Sequence, residues 1–341
     1  MILVTGGTGL VGSHLLLELL VAGKKVRATY RKESDLNAVR KIFSYTIPAE
    51  EVEFLFNQIE WKEASLTDIP ALAEAFEGIT HVFHSAALVS FSKEDTAALR
   101  KTNIEGTANV VNLCIAGGIK KLCYISSIAT MGLSLGETSI SENFTWHPEK
   151  EHSEYAISKH GAEIEVWRAS QEGVPVVILN PGVILGPGYW DKGTGQIFSK
   201  IYKGLNYHFP KTTGFVGVKD VAKLAMIAME SSVHNEQYIV VAENLSFKEV
   251  LDKVAHQFGK QPPKKELKPW MVYTGWLYQS IASMLFGVKK EIRRRDNQSL
   301  FEHSFYSNTK VKEEFSYEFQ PIEEVIAETL VAFNKDKNQS Y

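Results

Sequence analysis

The chain of 341 residues is predicted to fold as an α/β protein, a doubly wound parallel sheet followed by a smaller C-terminal lobe. Apolar runs alternate with helical patterns over the first 180 residues, which is typical of a parallel sheet with helices on both faces. A glycine-rich turn also joins the first apolar run to the first helical stretch. Because ligands of such sheets bind beyond the carboxyl ends of the strands, we expect the functional residues just after strands.

Apolar runs mark the predicted strands, which are Ile2 to Thr5, Lys25 to Tyr30, Ile59 to Ala64, Thr80 to His84, Lys121 to Ser126, and Val174 to Asn180. The helical stretches between them are Leu10 to Ala22, Ile69 to Phe76, Thr96 to Ala116, and Tyr155 to Gln171. A long insertion separates Arg31 from Ile59, and its predicted helices are Asp35 to Ser44 and Ala49 to Phe56. No function for this insertion follows from its residues.

The first strand leads into a turn with glycines at intervals of three residues. Glycines at this spacing let the chain turn tightly, bring its backbone against a pyrophosphate and pack the helix closely on the strand. The free N–H groups at the helix start then bind the phosphates. The spacing differs from the commoner G-x-G-x-x-G, so the turn needs support from the rest of the chain. The residues predicted to hold a dinucleotide here are Gly6, Thr8, Gly9, Leu10, Val11 and Gly12.

The end of the second strand predicts which dinucleotide is bound. An acidic residue here would bond the ribose 2′-hydroxyl of NAD, whereas a cation accommodates the 2′-phosphate of NADP. This strand ends without an acid, and Arg31 is followed by Lys32. A guanidinium offers a bidentate fork to phosphate, so we predict NADP(H), with NAD(H) as the alternative.

Catalytic chemistry is predicted further along the chain. Tyr155 and Lys159 are four residues apart and therefore share one face of a predicted helix. Ser126 and Ser127 end an apolar strand upstream. The glycine turn, the serine pair and Tyr-x-x-x-Lys in this order resemble the extended short-chain dehydrogenase/reductase superfamily, that is, the NAD-dependent epimerase/dehydratase family. Within it, the chain looks closest to the dihydroflavonol-reductase-like group.

The resemblance covers nearly the whole chain and implies its domain organisation. Residues 1–180 are expected to form a Rossmann-type NAD(P)-binding domain, and residues 181–341 mainly a substrate-binding lobe. The segment 215–230 is expected to return to the first domain, because Phe215 to Ala222 resembles the strand and helix start with which the family rejoins the main sheet.

The resemblance also assigns catalytic roles. A tyrosine, with a reference pKa of about 10, is a poor acid or base at neutral pH unless its anion is stabilised. In the family the tyrosine exchanges a proton with the substrate oxygen and the lysine supports it and holds the nicotinamide ribose, roles that fall to Tyr155 and Lys159. Ser127 matches the hydroxyl that polarises the substrate carbonyl. Asn103 resembles the helix asparagine that anchors a proton-relay water, although a solvent-facing helix position is the alternative.

Further nucleotide contacts are implied by position. Ser65, followed by Leu66, stands where the family commonly has an aspartate beside the adenine, which weakens this assignment. Ala86 and Ala87 match a turn of small residues beneath the cofactor. The residues implied around the nicotinamide are Ser126, Asn180, Pro181, Gly182 and Val183.

Three functions remain to be distinguished. Family dehydratases carry an Asp-Glu pair where this chain has Ile128 and Ala129, so dehydration is not expected. Epimerases need cations for a sugar diphosphate, and no arginine lies between Arg168 and Arg293, although lysines there or the cluster at 293–295 could substitute. We therefore favour an NADP(H)-dependent oxidoreductase that reduces a carbonyl, or oxidises a secondary alcohol, of a small, partly apolar substrate. The alternatives are an NAD-dependent nucleotide-sugar epimerase and a non-catalytic nucleotide-binding regulator.

The composition of the chain limits which kinds of partner and which cellular compartment are expected. A net charge of -3 gives no reason to expect nucleic acid. Cys114 and Cys123 have apolar neighbours and no metal-type spacing, so we expect reduced thiols, no metal and a cytoplasmic location. The uncharged run from Met271 to Val288 is shorter than the roughly 20 apolar residues of a membrane span. We expect a lid over the substrate, with membrane contact as the alternative. The resemblance also implies a homodimer, formed through the helices Thr96 to Ala116 and Tyr155 to Gln171.

Overall fold

The computed structural model describes residues 1–134, 136–271, 273–274 and 300–338. Its main sheet has seven parallel strands in the order β10-β6-β5-β4-β1-β2-β3. These strands are β1 (Ile2–Thr5), β2 (Val26–Tyr30), β3 (Glu60–Glu63), β4 (His81–His84), β5 (Lys121–Ile125), β6 (Val176–Pro181) and β10 (Glu236–Val240). The predicted doubly wound α/β fold is therefore confirmed. The strand order reverses between β1 and β4, which places the ligand crevice of such sheets at their carboxyl ends.

Helices connect these strands close to the predicted positions. They are α1 (Leu10–Val21), α2 (Leu36–Phe43), α3 (Ala49–Phe56), α4 (Ile69–Phe76), α5 (Thr96–Leu99), α6 (Gly106–Ala116) and α7 (Glu154–Gln171). A π-helical turn, Arg100–Glu105, separates α5 from α6, where a single helix was predicted. Side chains at the helix starts set two of these boundaries. Asp68 accepts a hydrogen bond from Ala71 N at the start of α4, and Ser153 accepts one from Ala156 N at the start of α7.

The later part of the chain builds two small sheets and further helices. One sheet has the order β11-β9-β7 and the other pairs β12 with β8. The strands are β7 (Val183–Leu185), β8 (Tyr207–His208), β9 (Thr212–Gly217), β11 (Glu243–Ser246) and β12 (Lys265–Glu266). The helices are α8 (Gly195–Tyr202), α9 (Val218–Glu230), α10 (Phe247–Gln257), α11 (Thr309–Phe315) and α12 (Ile322–Asn338).

Residues 215–230 return to the first half of the chain through helix α9, whereas the strand predicted within Phe215 to Ala222 does not join the main sheet. Strand β9 pairs with β7 and β11 and stays outside the main sheet. Helix α9 packs against α1, and β10 then pairs in parallel with β6, from Glu236 beside Val177 to Val240 beside Pro181. Because β10 occupies the free edge of β6, no edge of the main sheet is open to β9 there. The strand that rejoins the sheet is therefore β10.

The insertion between Arg31 and Ile59 has a structural explanation. Its helices α2 and α3 pack against α1. The Asp336 carboxylate in α12 accepts hydrogen bonds from Tyr45 Oη at 2.5 Å and from Trp190 Nε1 at 2.6 Å. Lys41 Nζ lies 3.0 Å from the same carboxylate. The insertion thus ties the C-terminal helix to the edge of the nucleotide-binding half.

The predicted lid from Met271 to Val288 lies almost entirely outside the described residues, so its role stays a prediction. Within the ranges that the structure describes, no helix is both long and apolar enough to cross a membrane. The same described residues contain no cluster of three or more histidine, cysteine, aspartate or glutamate side chains suited to a metal ion.

Candidate active site

The glycine turn forms a closely packed cradle between β1 and α1. Gly6 has a φ of +73°, and a Cβ there would lie 2.7 Å from the backbone of Ala86. A Cβ on Gly12 would lie only 2.1 Å from the carbonyl oxygen of Gly6. Helix α1 begins after Gly9 and has no side-chain cap, so its first amides are left to other partners. These residues fit a dinucleotide, because the backbone can approach a pyrophosphate that meets the open helix start.

Neighbouring loops complete this cradle. The Thr8 hydroxyl donates to Ser34 Oγ at 3.2 Å, which places the start of the insertion beside the glycine turn. The Tyr189 hydroxyl donates to the carbonyl oxygen of Thr8 at 2.5 Å. Tyr189 adopts a φ of 56°, an uncommon conformation for a non-glycine residue. The loop after β7 is therefore held against the nucleotide cradle.

Arg31 and Lys32 lie exposed directly after β2, as their sequence position predicts. The Arg31 amide donates to Ser34 Oγ at 3.1 Å, which fixes its backbone near Thr8. Neither cation forms an ion pair with any residue in the described ranges. Both remain available to an added phosphate.

The residues predicted around the adenine have varied surroundings. The Ser65 hydroxyl lies 3.2 Å from Thr67 Oγ1. Leu66 is buried, and its side chain lies 2.8 Å from where a Cβ on Gly106 would be, so it packs against the start of α6. Ala86 packs on Gly6, whereas Ala87 is exposed. Ala86 and Ala87 therefore lie at the crevice between β1 and β4, while Leu66 lies mainly in the core.

Helix α7 carries Tyr155 and Lys159 to the carboxyl end of β5. The Lys159 side chain is 1% exposed, and its Nζ donates to the carbonyl oxygen of Ile125 at 2.8 Å. The ammonium also lies 4.3 Å from the centre of the Tyr124 ring. Burial lowers the pKa of Lys159 to about 7, and the Glu163 carboxylate opposes this shift by raising the same pKa. The charge of this lysine is therefore sensitive to its surroundings at neutral pH.

Ser127 and Tyr155 share a hydrogen bond just beyond the end of β5. Ser127 precedes a short helical turn, Ile128–Thr130, and its Oγ accepts a hydrogen bond from Ala129 N at 3.2 Å. Burial raises the pKa of Tyr155 to about 12, and a hydrogen bond with Ser127 acts in the opposite direction. The phenol is thus protonated at neutral pH and ready to donate. Ser127 and Tyr155 are thus hydrogen-bonded, and Lys159 follows Tyr155 by one turn of the same helix. Their catalytic roles stay a prediction.

Asn103 lies in the π-helical turn and is 1% exposed, so the solvent-facing alternative is wrong. Its Oδ1 accepts from Leu88 N at 2.7 Å, and its Nδ2 donates to Leu88 O at 3.0 Å and to Ser158 Oγ at 2.9 Å. Both hydrogens of this amide are therefore engaged. The side chain joins the loop after β4 to helix α7, and a role in binding a relay water stays a prediction.

A buried polar cluster below the catalytic residues was not predicted. Its central residue is Glu163, whose Oε1 accepts from Ser126 Oγ at 2.5 Å, from Thr130 Oγ1 at 2.9 Å and from Asn180 Nδ2 at 2.6 Å. The side chains of Ser126 and Asn180 therefore point to this carboxylate, although the sequence assigned both to the nicotinamide. The signal in the sequence is the spacing, because Glu163 follows Lys159 by one further helical turn.

The segment predicted to close over the nicotinamide packs tightly against the second half of the chain. A Cβ on Gly182 would lie 2.4 Å from the carbonyl oxygen of Gly214, and its amide donates to Val240 O at 3.0 Å. Pro181 ends β6 and Val183 begins β7. The close approach of Gly182 to Gly214 is enough to explain why this residue is a glycine. Contact of this segment with a nicotinamide stays a prediction.

Comparisons with known proteins agree with this geometry. A model of the NAD dependent epimerase/dehydratase family matches residues 2–241. A putative dihydroflavonol 4-reductase of Synechocystis sp. is 27% identical over 336 residues, which cover 96% of this chain and 92% of that protein. The crystal structure of gox2253 superposes with a TM-score of 0.80 at 27% identity and covers 98% of both chains.

A further solved structure shares the fold at lower identity. UDP-glucose 4-epimerase from Thermotoga maritima, solved with UDP-glucose, superposes with a TM-score of 0.75 at 22% identity. The match covers 98% of this chain and 99% of that one. Reductases and epimerases are therefore both among the proteins that this chain resembles.

Proposed function

Because the chain belongs to the NAD dependent epimerase/dehydratase family, we propose that it reduces a carbonyl, or oxidises the corresponding secondary alcohol, of a small and partly apolar substrate with NADP(H). The observation that carries this proposal is the meeting of Ser127, Tyr155 and Lys159 at the carboxyl end of β5. The likeness to a putative dihydroflavonol 4-reductase along nearly the whole chain supports reduction over epimerisation.

The side chains act on the substrate oxygen. A bound nicotinamide supplies the hydride that reaches the carbonyl carbon. The Ser127 hydroxyl, which is held beside Tyr155, donates a hydrogen bond to the carbonyl oxygen and polarises it. Tyr155 then gives its phenolic proton to that oxygen, and the nearby Lys159 ammonium stabilises the phenolate that remains. In alcohol oxidation the same groups act in reverse.

The substrate would meet an apolar surface beside the phenol. The Phe91 ring lies 5.6 Å from the Tyr155 ring, and the Phe91 side chain is 64% exposed. Val89, in the segment after β4, is 62% exposed, and Leu133, in the segment after β5, is 45% exposed. An exposed aromatic ring beside the catalytic tyrosine supports a substrate that is apolar near its carbonyl group.

The choice of NADP(H) rests on Arg31 and Lys32, which are exposed after β2 and have no acidic partner in the described ranges. Both can meet a 2′-phosphate, whereas no carboxylate ends the strand to bond a free 2′-hydroxyl. The adjacent Ser34 fixes the Arg31 backbone next to Thr8. NAD(H) is the alternative.

The second candidate is an NAD-dependent nucleotide-sugar epimerase. The observation that favours it is the likeness in fold to the epimerase from Thermotoga maritima, which was solved with UDP-glucose. Against it, the sequence has no arginine between Arg168 and Arg293. The Lys211 side chain lies in that half, but burial lowers its pKa and so makes it a weaker partner for a diphosphate.

We also propose a homodimer in the cytoplasm. Helices α6 and α7 lie side by side, and Ile164 of α7 is 55% exposed, which leaves apolar surface for a second copy of this pair. Cys114 and Cys123 are free and buried, which supports a reducing compartment.

The proposal is tested by the identity and affinity of the cofactor. Any nucleotide released from purified protein is identified, and the emptied protein is titrated with NADPH and NADH by fluorescence. We expect tighter binding of NADPH, and we expect Arg31→Ala to weaken NADPH by roughly tenfold while NADH changes little. Arg40→Ala is the control, because this arginine already pairs with Glu53 in the insertion. Tightly held NAD and an Arg31→Ala protein with unchanged NADPH affinity would instead support the epimerase.

A further inference from the structure

The Glu163 carboxylate lies in the interior without a direct ion pair to Lys159. Its side chain is 5% exposed, yet three side-chain donors converge on Oε1: Ser126, Thr130 and Asn180. The other oxygen, Oε2, lies 4.0 Å from His160 Nδ1, beyond hydrogen-bond distance. A buried charged group is tolerated only when polar partners replace its lost hydration.

The surrounding groups indicate that this carboxyl is ionised. The Asn180 NH2 group can only donate to Glu163 Oε1, which favours a carboxylate, and the Ser126 and Thr130 hydroxyls can donate to it as well. The Asn180 amide donates to Glu163 even though its own buried Oδ1 finds no partner in the described ranges. A flipped amide would set that oxygen against the Glu163 oxygen, which the observed orientation avoids. Burial raises the pKa of Glu163, and the three donors and Lys159 act to lower it.

The cluster also reaches the backbone of the catalytic serine. Asn180 Nδ2 lies 3.2 Å from the carbonyl oxygen of Ser127, and Thr130 Oγ1 lies 2.9 Å from the same oxygen. The end of β5, the middle of α7 and the end of β6 are thus joined at one point. Among the described residues, no hydrogen bond joins Glu163 to the Tyr155 phenol, so its hydrogen bonds reach the site through these neighbours.

We propose that Glu163 is a positioning residue for the reaction: it fixes the Ser127 backbone through Asn180 and Thr130 and keeps a negative charge beside Lys159. The charged and titratable groups that face it are Lys159, His160 and Tyr155 on its own helix and Tyr124 on β5. His160 is neutral at neutral pH, since burial and the nearby His152 lower its pKa. The charge of Glu163 therefore raises the pKa of Lys159, and it raises those of Tyr155 and Tyr124 as well.

The direction of the pH effect follows from this arrangement. Lys159 stabilises the Tyr155 phenolate only as an ammonium, and its pKa of about 7 depends on Glu163. Loss of the carboxylate charge lowers that pKa, so the ammonium is lost at a lower pH. The alkaline limb of the rate profile then moves towards acid.

Glu163→Gln tests the proposal, because an amide oxygen still accepts the same hydrogen bonds while the charge is removed. Lysine is labelled with carbon-13 at Cε, the Lys159 signal is assigned with Lys159→Arg, and its titration is followed by NMR. We expect the midpoint to fall by on the order of one pH unit, and kcat at about pH 8 to fall roughly tenfold with little change in KM. Glu165→Gln, on the same helix but paired with Arg168, should move neither.

An unchanged Lys159 midpoint in Glu163→Gln would overturn the inference. If that variant does not fold, the carboxyl carbon of Glu163 in the wild-type protein decides the matter, since a neutral carboxyl at pH 7 overturns the inference and an ionised one supports it. The kcat prediction rests on the proposed function, whereas both NMR titrations do not need a substrate. A shifted midpoint with no carbonyl reduction would therefore refute the proposed function and leave this inference standing.

Discussion

At the scale of single residues, the chemistry rests on a tyrosine whose surroundings keep it protonated. Burial raises the pKa of Tyr155 to about 12, whereas its hydrogen bond with Ser127 acts to lower it. In the proposed reaction Lys159, one helical turn further along α7, also stabilises the anion once the proton leaves. A phenol that is protonated at neutral pH but meets a nearby ammonium is suited to give its proton to a carbonyl oxygen as that oxygen gains charge.

Tyr155→Phe removes the proton donor and keeps the ring that packs beside Phe91. We expect kcat to fall by at least about a hundredfold, because general acid catalysis contributes roughly 10² to 10⁴ in rate, while NADPH affinity stays within about twofold. Steady-state turnover of a carbonyl substrate and a fluorescence titration measure the two quantities. Tyr202→Phe, in the C-terminal half, is the control. Full turnover by Tyr155→Phe would contradict the catalytic assignment.

Several of these residues could be predicted from the sequence and one important group could not. Tyr155 and Lys159 belong to a motif with fixed spacing and lie on one helix, and Ser127 hydrogen-bonds with Tyr155. Glu163 was missed because a glutamate in a helix is usually solvated, and only the fold shows three donors around it. The side chain of Asn180 was assigned to the nicotinamide for the same reason, since its direction depends on that carboxylate.

At the scale of elements, the turn from β1 to α1 decides whether a dinucleotide can bind. Different constraints require glycine at its two key positions. Gly6 has a positive φ and supports the close contact with Ala86, whereas Gly12 lies against the Gly6 carbonyl with no room for a side chain. Any side chain at position 12 must push helix α1 away from strand β1.

Gly12→Ala tests this element. The added Cβ would lie 2.1 Å from a backbone oxygen, so we expect a loss of about 1 to 3 kcal/mol in the free energy of unfolding and at least about tenfold weaker NADPH binding. Gly23→Ala is the control at the far end of α1, because Gly23 has a φ of +70° and no atom near its Cβ position. That variant should lose about 1 kcal/mol and keep its NADPH affinity. Equal affinity in the Gly12→Ala protein would contradict the cradle.

The helices and strands of the first half were predictable, because apolar runs and caps mark their ends. The π-helical turn at Arg100–Glu105 was not, since it depends on Asn103 bonding to the backbone of Leu88 in a distant loop. The strand that rejoins the main sheet was misplaced for a similar reason. Pairing of β10 with β6 joins residues that are far apart in the sequence. The residue pattern of β9 is equally typical of a strand inside the main sheet and of one outside it.

At the scale of the whole molecule, the interior holds neutral histidines that make the fold sensitive to acid. Burial lowers the pKa of His14 from 6.5 to about 4 and that of His84 from 6.5 to about 3. Below about pH 6.5 these two histidines therefore bind protons in the unfolded chain but not in the folded chain. Stability from these residues is fully present above that pH and is lost as the pH falls towards the folded values.

His14→Gln isolates one of these contributions. At about 1.4 kcal/mol per pH unit, the shift of His14 corresponds to roughly 3 kcal/mol between neutral pH and pH 4. Urea unfolding at several pH values should show the wild-type protein losing that much more stability on acidification than the variant. His234→Gln, an exposed position, is the control. Parallel losses in wild type and His14→Gln would show that His14 is protonated in the folded protein.

The central claim, net transfer of hydride from NADPH to a carbonyl substrate, is tested most directly by isotope transfer. NADPH with deuterium at its transferable position is mixed with the protein and a panel of aldehydes and ketones, and the products are analysed by mass spectrometry. We predict an alcohol that carries one deuterium, formed by the wild-type protein and not by Tyr155→Phe. Conversion of a nucleotide sugar to its epimer with retained NAD, and no deuterium in any alcohol, would contradict the claim.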